Sequence, residues 1–123
     1  MKAALIPHAL QDTRILLTHA SGFMGPALRE VFLEQGAEVI ASDAALDSAE
    51  AVERVVAAAG RIDVLVVNLA FQAPTTAATE VGDDEWRAVF AALVDPLPRL
   101  VRAVTPAMIA RRSGKILVIG SAS

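Results

Sequence analysis

The segment THASGFMG, residues 18–25, contains the first residues whose types and spacing could do chemistry. Gly22 and Gly25 follow a short apolar run and precede a helical pattern, where a glycine-rich turn can hold phosphate groups at a helix N-terminus. A dinucleotide-binding turn would normally have glycine where His19 and Phe23 stand. Phe23 puts a Cβ and a ring where only bare backbone lets a pyrophosphate approach. The glycine pair also fits a tight turn in which a helix packs closely on a strand.

Asp43 is the second candidate group, because a carboxylate at the end of a second strand can bind a ribose. It follows Gly25 at a distance along the chain that suits a ribose-binding carboxylate, which favours NAD. However, the segment between Asp43 and the next strand candidate at Ile62 has room for only one helix. A full mononucleotide-binding half needs a helix, a strand and a second helix there. We therefore expect no complete NAD site, and Asp43 also fits a solvated carboxylate at a strand end.

The elements that must position these residues follow from the apolar pattern. Apolar runs predict strands at residues 14–18, 37–43, 62–68 and 115–123. Strands alternating with helices predict an α/β fold, a Rossmann-like doubly wound parallel sheet in the order 2-1-3-4. The segment after the second strand is short for such a fold. Ligands bind at the carboxyl ends of the strands, which hold Thr18, Asp43, Asn68 and Ser121.

Helical periodicity predicts four helices with one apolar face each. The first starts at Met24 and stops near Gly36, with an apolar face of Met24, Leu28, Val31 and Phe32. The second has Asp47 as N-cap and Glu50 three residues on, an apolar stripe of Val52, Val55, Val56 and Ala59, and an end at Gly60. The third begins at the acidic residues 83–85 and would bury Trp86, Val89, Phe90 and Leu93. Pro96 and Pro98 should interrupt it before a fourth helix that buries Leu97, Leu100, Val101, Val104, Met108 and Ile109.

Composition sets the outer bounds. The 123 residues, with 54% hydrophobic and 20% charged side chains, suit a single Rossmann-like domain over 1–123 with an N-terminal arm at 1–13. The net charge of -3 gives no reason to expect nucleic acid or an anionic membrane. Two histidines and no cysteine make a metal site unexpected. No apolar run approaches the roughly 18 residues of a membrane span, so we expect a cytoplasmic protein.

Two further segments carry a family resemblance. IDVLVVNLA and SGKILVIGSAS resemble the fourth-strand and fifth-strand motifs of the short-chain dehydrogenase/reductase superfamily. More narrowly, the T-x-x-x-x-F-x-G spacing of Thr18, Phe23 and Gly25 resembles the signature of the halohydrin dehalogenases, relatives that have lost the nicotinamide cofactor. The short segment after the second strand and GRIDVLVVNLAF are similar to that family too. The resemblance runs from about residue 14 to residue 123.

The sequence departs from the parent superfamily at two positions. Phe71 stands where the strand-4 motif has a glycine, which directs another ring towards the site. Leu93 stands where reductases keep an asparagine for a proton relay. Loss of that relay fits a protein that reduces no carbonyl, and a leucine in a helix core fits the same position.

The dehalogenase resemblance implies a specific reaction. A vicinal haloalcohol would close to an epoxide with release of halide and a proton, and cyanide, azide or nitrite would open epoxides in reverse. A serine, a tyrosine base and an arginine carry the family reaction, and Ser121 matches the serine. Phe23 would form a wall of the halide pocket, with Thr18 and Gly25 shaping the turn beneath it. Phe71 is a further substrate-pocket candidate that also fits a loop anchor, and His19 is interpreted as structural. The resemblance implies no cofactor.

The tyrosine and arginine are not found where the resemblance needs them. The chain has no tyrosine, and the family places that residue about 13 positions after the serine, with the arginine about four further. Arg111 and Arg112 are expected at the opposite end of the last strand. We therefore expect these 123 residues to be the N-terminal half of a longer fold, inactive alone. The other half would follow in sequence or come from a separate chain.

Partners and alternatives complete the expectations. A haloalcohol or epoxide and a halide are the expected small-molecule partners, and a homo-oligomer, a dimer of dimers, would form through helices 84–112. One alternative is a fragment of an NAD(P)-dependent short-chain dehydrogenase/reductase, which rests on Asp43. The other is a non-catalytic interaction domain, which rests on the apolar helices.

Overall fold

The computed structural model describes residues 8–72 and 74–121. In chain order its elements are β1 (Arg14–Thr18), α1 (Gly25–Glu34), β2 (Glu38–Ser42), α2 (Ala49–Ala59), β3 (Val64–Val67), α3 (Asp83–Leu93), α4 (Pro96–Arg111) and β4 (Lys115–Val118). The strands form one parallel sheet in the order β2-β1-β3-β4. The predicted fold class and strand order are confirmed. Of the predicted arm, residues 1–7 lie outside the described residues, and the 8–13 segment is tied to α1 by a Leu10 N–H···O=C Gln35 bond of 2.9 Å.

The register brings the carboxyl ends of the strands to one edge of the sheet. Thr18, the last residue of β1, pairs with Ser42, the last residue of β2. Leu17 pairs with Val66, and Val67 at the end of β3 pairs with Val118 at the end of β4. The chain leaves β1 for β2 on one side and reaches β3 on the other, so the topological switch point lies between β1 and β3.

Two apolar layers enclose the sheet, because successive strand residues point to opposite faces. Leu16, Leu65 and Val67 pack with residues of α2 and α4. Ile15, Leu17 and Val66 pack on the other face, with Leu28 and Phe32 of α1 partly buried against them. The nearly continuous apolar sequence of β3 is thereby explained, since both of its faces are covered.

Two helix boundaries test the capping and proline signals. Ser48, and not the predicted Asp47, is the N-cap of α2: its backbone is extended, and its Oγ accepts a 3.0 Å hydrogen bond from the Ala51 N–H. The N-cap prediction was wrong by one residue because both residues can cap a helix and only the backbone conformation distinguishes them. The predicted interruption at Pro96 is confirmed, since α3 ends at Leu93 and α4 starts at Pro96.

Several predicted apolar faces are not buried. Trp86 is 60% exposed and stacks on Phe90 with ring centroids 4.9 Å apart, and Phe90 and Leu93 are exposed too. The predicted core role of this face was wrong because α3 packs mainly on α4 and not on the sheet. Met24 and Val31 of the first helical face are likewise exposed, as is Ile109. Periodicity finds an apolar face, but it does not show what covers that face.

The last strand is shorter than the predicted 115–123. The strand ends at Val118. The N–H of the next residue, Ile119, still donates a 3.0 Å hydrogen bond to the Val67 carbonyl. Ser121 therefore lies three residues beyond the strand and does not end it. Residues 122 and 123 lie outside the described residues.

The packing of α4 on the sheet predicts which of its large aliphatic side chains contribute to the free energy of unfolding. Leu100 is 0% exposed, whereas Ile109 on the same helix is 73% exposed. We expect Leu100→Ala to lower the free energy of unfolding by about 2–5 kcal/mol, because it leaves a cavity between α4 and the sheet. Ile109→Ala should change it by no more than about 0.5–1 kcal/mol. Urea unfolding followed by circular dichroism measures both, and equal losses would contradict this account of the core.

Candidate functional site

The loop between β1 and α1 keeps the backbone of a glycine-rich turn at positions that carry side chains. His19 has φ of +44° and Phe23 has φ of +48°. These are the two positions where a dinucleotide-binding turn would have glycine. A left-handed conformation costs a residue with a Cβ about 1–2 kcal/mol. The loop therefore adopts the backbone conformation of a glycine-rich turn at an energetic cost. At Phe23 it carries an aromatic ring where a glycine would leave the backbone bare.

The two glycines of the loop are needed for close packing. A Cβ on Gly22 would come within 2.6 Å of the Ala70 Cβ, and a Cβ on Gly25 would overlap the backbone of Ala20. Gly25 is itself buried, at the first residue of α1. The pair thus lets the loop approach the segment after β3 and lets α1 start close to the strand, which is the tight-turn interpretation of the pair.

Asn68 joins the switch point to the loop. Its backbone N–H donates to Thr18 Oγ1 at 3.0 Å, and Thr18 Oγ1 donates to the Asn68 carbonyl at 2.7 Å. The Asn68 side-chain Nδ2 donates to the carbonyl oxygens of His19 at 3.0 Å and Gly22 at 2.9 Å. Both Asn68 and Thr18 are buried. The amide oxygen Oδ1 of Asn68 has no hydrogen-bond partner among the described residues.

Asp43 holds the outer side of the same loop. Its Oδ1 accepts a 2.8 Å bond from the Ser21 N–H, and its Oδ2 accepts a 2.6 Å bond from the Ser21 hydroxyl. The hydroxyl bond, followed by the backbone bond, lowers the pKa of the Asp43 carboxyl below its usual range. Both oxygens of the carboxylate that could have bound a ribose are therefore engaged by Ser21.

A cavity of about 750 Å³ lies at the carboxyl ends of β3 and β4. Three of the predicted site residues, Phe23, Phe71 and Ser121, line it together. Thr18 and Gly25 do not line it, since Thr18 is buried under the loop and Gly25 starts α1. The structure thus brings one hydroxyl and two aromatic rings to the same cavity, above the turn that Thr18 and Gly25 build.

Leu93 also lines this cavity. It is 38% exposed, so the interpretation of this position as part of a helix core was wrong. Leu97 and Ile119 are apolar lining residues that the sequence did not identify as site residues. The available signal was the position of Ile119 just beyond β4, at the ligand-binding edge of the sheet.

The lining determines what the cavity can do. Its described residues are apolar apart from Gln72, Ser121 and backbone groups, and none of them ionises near neutral pH. Such walls can bind a small, mostly apolar molecule, and the serine hydroxyl can hold one of its oxygens. None of these described lining residues can accept a proton near neutral pH. No group of three metal-ligating side chains lies close together within 8–72 and 74–121.

Comparison with known proteins sets this geometry in context. The family model for short chain dehydrogenases matches residues 27–123. A solved structure described as a dehalogenation enzyme is 28% identical, with a TM-score of 0.78, over 91% of this chain and 55% of that one. A 3-oxoacyl-(acyl-carrier protein) reductase with bound NAD from Brucella melitensis is 19% identical, with a TM-score of 0.83, over 98% and 60%. Serine dehydrogenase from Escherichia coli is 22% identical, with a TM-score of 0.75, over 89% and 62%.

These similarities differ in how much they show about this chain. The reductase, at 19% identity, and the serine dehydrogenase, at 22% identity, show the fold alone. This chain spans 55% of the length of the dehalogenation enzyme, 60% of the reductase and 62% of the serine dehydrogenase. Comparison with curated protein sequences gives no match. No helix in the described part of the chain is long and apolar enough to cross a membrane.

Replacing the Asn68 amide tests the tie between sheet and loop. We expect Asn68→Asp to lower the free energy of unfolding by about 3 kcal/mol, because a buried carboxylate would face the carbonyl oxygens of His19 and Gly22 without a donor. Gln72→Glu makes the same chemical change at an exposed position and should stay within about 0.5 kcal/mol. Urea unfolding near neutral pH measures both, and a neutral Asn68→Asp would contradict the role of the amide.

The titration of Asp43 tests the outer side of the loop. A lowered folded pKa means that this carboxylate stabilises the fold above its unfolded pKa of about 3.9, and that the stabilisation is lost as pH falls through the folded value. Ser21→Ala removes the largest cause of the lowering, so the NMR titration midpoint of the Asp43 carboxyl should rise. Ser48→Ala, which removes a hydroxyl from the α2 N-cap, should leave it in place. An unchanged midpoint in Ser21→Ala would contradict the hydrogen bond.

Proposed function

The chain belongs to the short-chain dehydrogenase family, and we propose that within it this chain is part of a halohydrin dehalogenase. The reaction would convert a vicinal haloalcohol to an epoxide, with release of halide and a proton. In reverse, an anionic nucleophile would open the epoxide. The observation that carries the proposal is Phe23, which holds a left-handed backbone at a glycine position and lines the same cavity as Ser121.

A nicotinamide dinucleotide does not fit the residues of this loop. Phe23 adds a side chain where the pyrophosphate would need open backbone. Along the described sheet, β2 is an edge strand, so no further strand stands beside it to form a wall for an adenine. These features support chemistry without a nicotinamide cofactor.

The proposed reaction assigns a role to each part of the cavity. Ser121 would hold the substrate hydroxyl while a base removes its proton. The resulting alkoxide forms the new C–O bond on the neighbouring carbon, and the halide leaves from the opposite side with the electron pair of the broken bond. Because the alkoxide oxygen and the carbon that bears the halide belong to one bound molecule, orientation supplies much of the rate. The rings of Phe23 and Phe71 present positive edges that can accommodate the departing anion.

In this proposal the base lies outside the 123 residues of the chain. No tyrosine occurs in the chain, and none of the described residues that line the cavity can accept a proton near neutral pH. We propose a tyrosine whose pKa is lowered by an arginine, both contributed by sequence after residue 123 or by another chain. This chain covers 55% of the 28% identical dehalogenation enzyme, so that protein has further sequence in which such residues could lie.

Assembly of the protein is a related proposal. The exposed Trp86 and Phe90 of α3 and the exposed Ile109 of α4 leave large apolar side chains in water. A dimer of dimers formed through residues 84–112 would bury them. The same exposed residues favour the alternative of an interaction domain, which would associate but release no halide.

A serine replacement tests the reaction. In the complete protein, we expect Ser121→Ala to lower kcat/KM for halide release from a small haloalcohol by about 100-fold or more, because the substrate oxygen loses its donor. Ser113→Ala is the matched control, since Ser113 lies before the start of β4 at the opposite end of that strand, and it should keep full activity. Halide release followed by ion chromatography measures both variants.

A cofactor-binding experiment separates the dehalogenase proposal from the alternative of an NAD(P)-dependent reductase. We expect no NADH binding by the wild-type protein in isothermal titration calorimetry. Phe23→Gly should not create binding, because the wall for the adenine would still be missing. NADH binding by the wild type, together with absent halide release, would overturn the dehalogenase proposal in favour of a reductase.

A further inference from the structure

The imidazole of His19 connects the two segments that carry the aromatic walls of the cavity. Its Nδ1 accepts a hydrogen bond of 2.9 Å from the Ala70 N–H. Ala70 lines the cavity and directly precedes Phe71. His19 itself belongs to the loop that carries Phe23. The bond thus runs from the Phe23 loop to the backbone beside Phe71.

Other contacts join the same two segments, but they fix different atoms. The Asn68 side chain holds the carbonyl oxygens of His19 and Gly22, so it fixes the path of the loop. Gly22 allows close approach to the Ala70 side chain. The imidazole holds the Ala70 N–H itself, which fixes the orientation of the Leu69–Ala70 peptide, one residue before Phe71.

The backbone of His19 makes this side chain unexpected on steric grounds. Its φ of +44° is one that glycine adopts without strain. Glycine at this position would relax the loop but would leave the Ala70 N–H without its imidazole partner. The strained residue therefore provides a contact that the relaxed residue cannot provide.

We propose that His19 is a positioning residue, which holds the backbone beside Phe71 to the loop that carries Phe23 through the Ala70 amide, and so sets the width of the anion-binding end of the cavity that both rings line. The kinetic part of this inference rests on the proposed dehalogenase function. His19 touches no reacting atom in this proposal, and it acts on the substrate and the halide through the two rings.

The bond depends on the protonation of the ring. Nδ1 can accept only while it carries no proton, because a protonated imidazole has two N–H donors and no acceptor. The bond to Ala70 therefore has Nδ1 as the acceptor, with the ring proton on Nε2.

Two substitutions separate the bond from the backbone strain. His19→Asn keeps an acceptor, since asparagine Oδ1 occupies the position that corresponds to Nδ1, tolerates a left-handed backbone and does not titrate. His19→Gly relieves the strain and removes the acceptor. His8 supplies the matched control, because it is a histidine with φ of +57° that does not line the cavity. His8→Gly relieves the same kind of strain away from the proposed site.

The expected results are measured on the complete protein. The inhibition constant of bromide and the KM for the haloalcohol should rise about fivefold to tenfold in His19→Gly, with a smaller change in kcat, as expected for one lost hydrogen bond. His19→Asn should restore both constants to within about twofold of the wild type. His8→Gly should change none of these constants.

A second readout keeps the inference testable apart from the activity. In NMR hydrogen-exchange experiments, the Ala70 amide proton should exchange more slowly in the wild type and in His19→Asn than in His19→Gly, because only the first two hold it in a hydrogen bond. If the wild type releases no halide but the Ala70 amide exchanges faster in His19→Gly, the proposed function fails and the positioning bond stands. Equal exchange of the Ala70 amide in the wild type and His19→Gly, or wild-type bromide inhibition in His19→Gly, would overturn the inference.

Discussion

The rest of the site depends on the hydrogen bonds between Thr18 and Asn68, which join the end of β1 to the residue that follows β3. At the switch point the chain leaves β1 and β3 in different directions, so backbone groups there lose their strand partners. The Thr18 hydroxyl both accepts from and donates to the Asn68 backbone, and the Asn68 amide satisfies two carbonyl groups of the loop. Because these groups are buried, leaving any of them unpaired would cost more than the bond itself contributes. The loop therefore has one path, and Phe23 has one position.

This constraint explains how side chains can stand at glycine positions. A loop that was free to relax would avoid left-handed φ values at His19 and Phe23, since each carries a steric cost. Asn68 on the inner side and Asp43 on the outer side fix the carbonyl and amide groups around these residues. The surrounding bonds thus over-determine the backbone, which is the condition under which local strain persists.

Much of the fold follows from local sequence, whereas the burial of its helices does not. The apolar runs locate all four described strands, and the short segment between Asp43 and Ile62 limits that connection to one helix. The exposure of Trp86 could not be predicted, because an apolar stripe looks the same whether the sheet, another helix or a partner covers it. The end of β4 depends on pairing with β3, a contact between distant residues.

The residues of the candidate site could be predicted from the sequence, but the contacts between them could not. Ser121, Phe23 and Phe71 are found from motif positions and do line one cavity. The bond of His19 to Ala70 joins residues 51 positions apart, so no local pattern reveals it.

The loop between β1 and α1 has two chemically different sides. Asp43, which is not among the cavity-lining residues, keeps its negative charge outside the cavity, where two donors of Ser21 stabilise it. The inner side carries the aromatic rings that line the cavity. No described carboxylate lines the cavity, so no negative charge there would repel a departing anion.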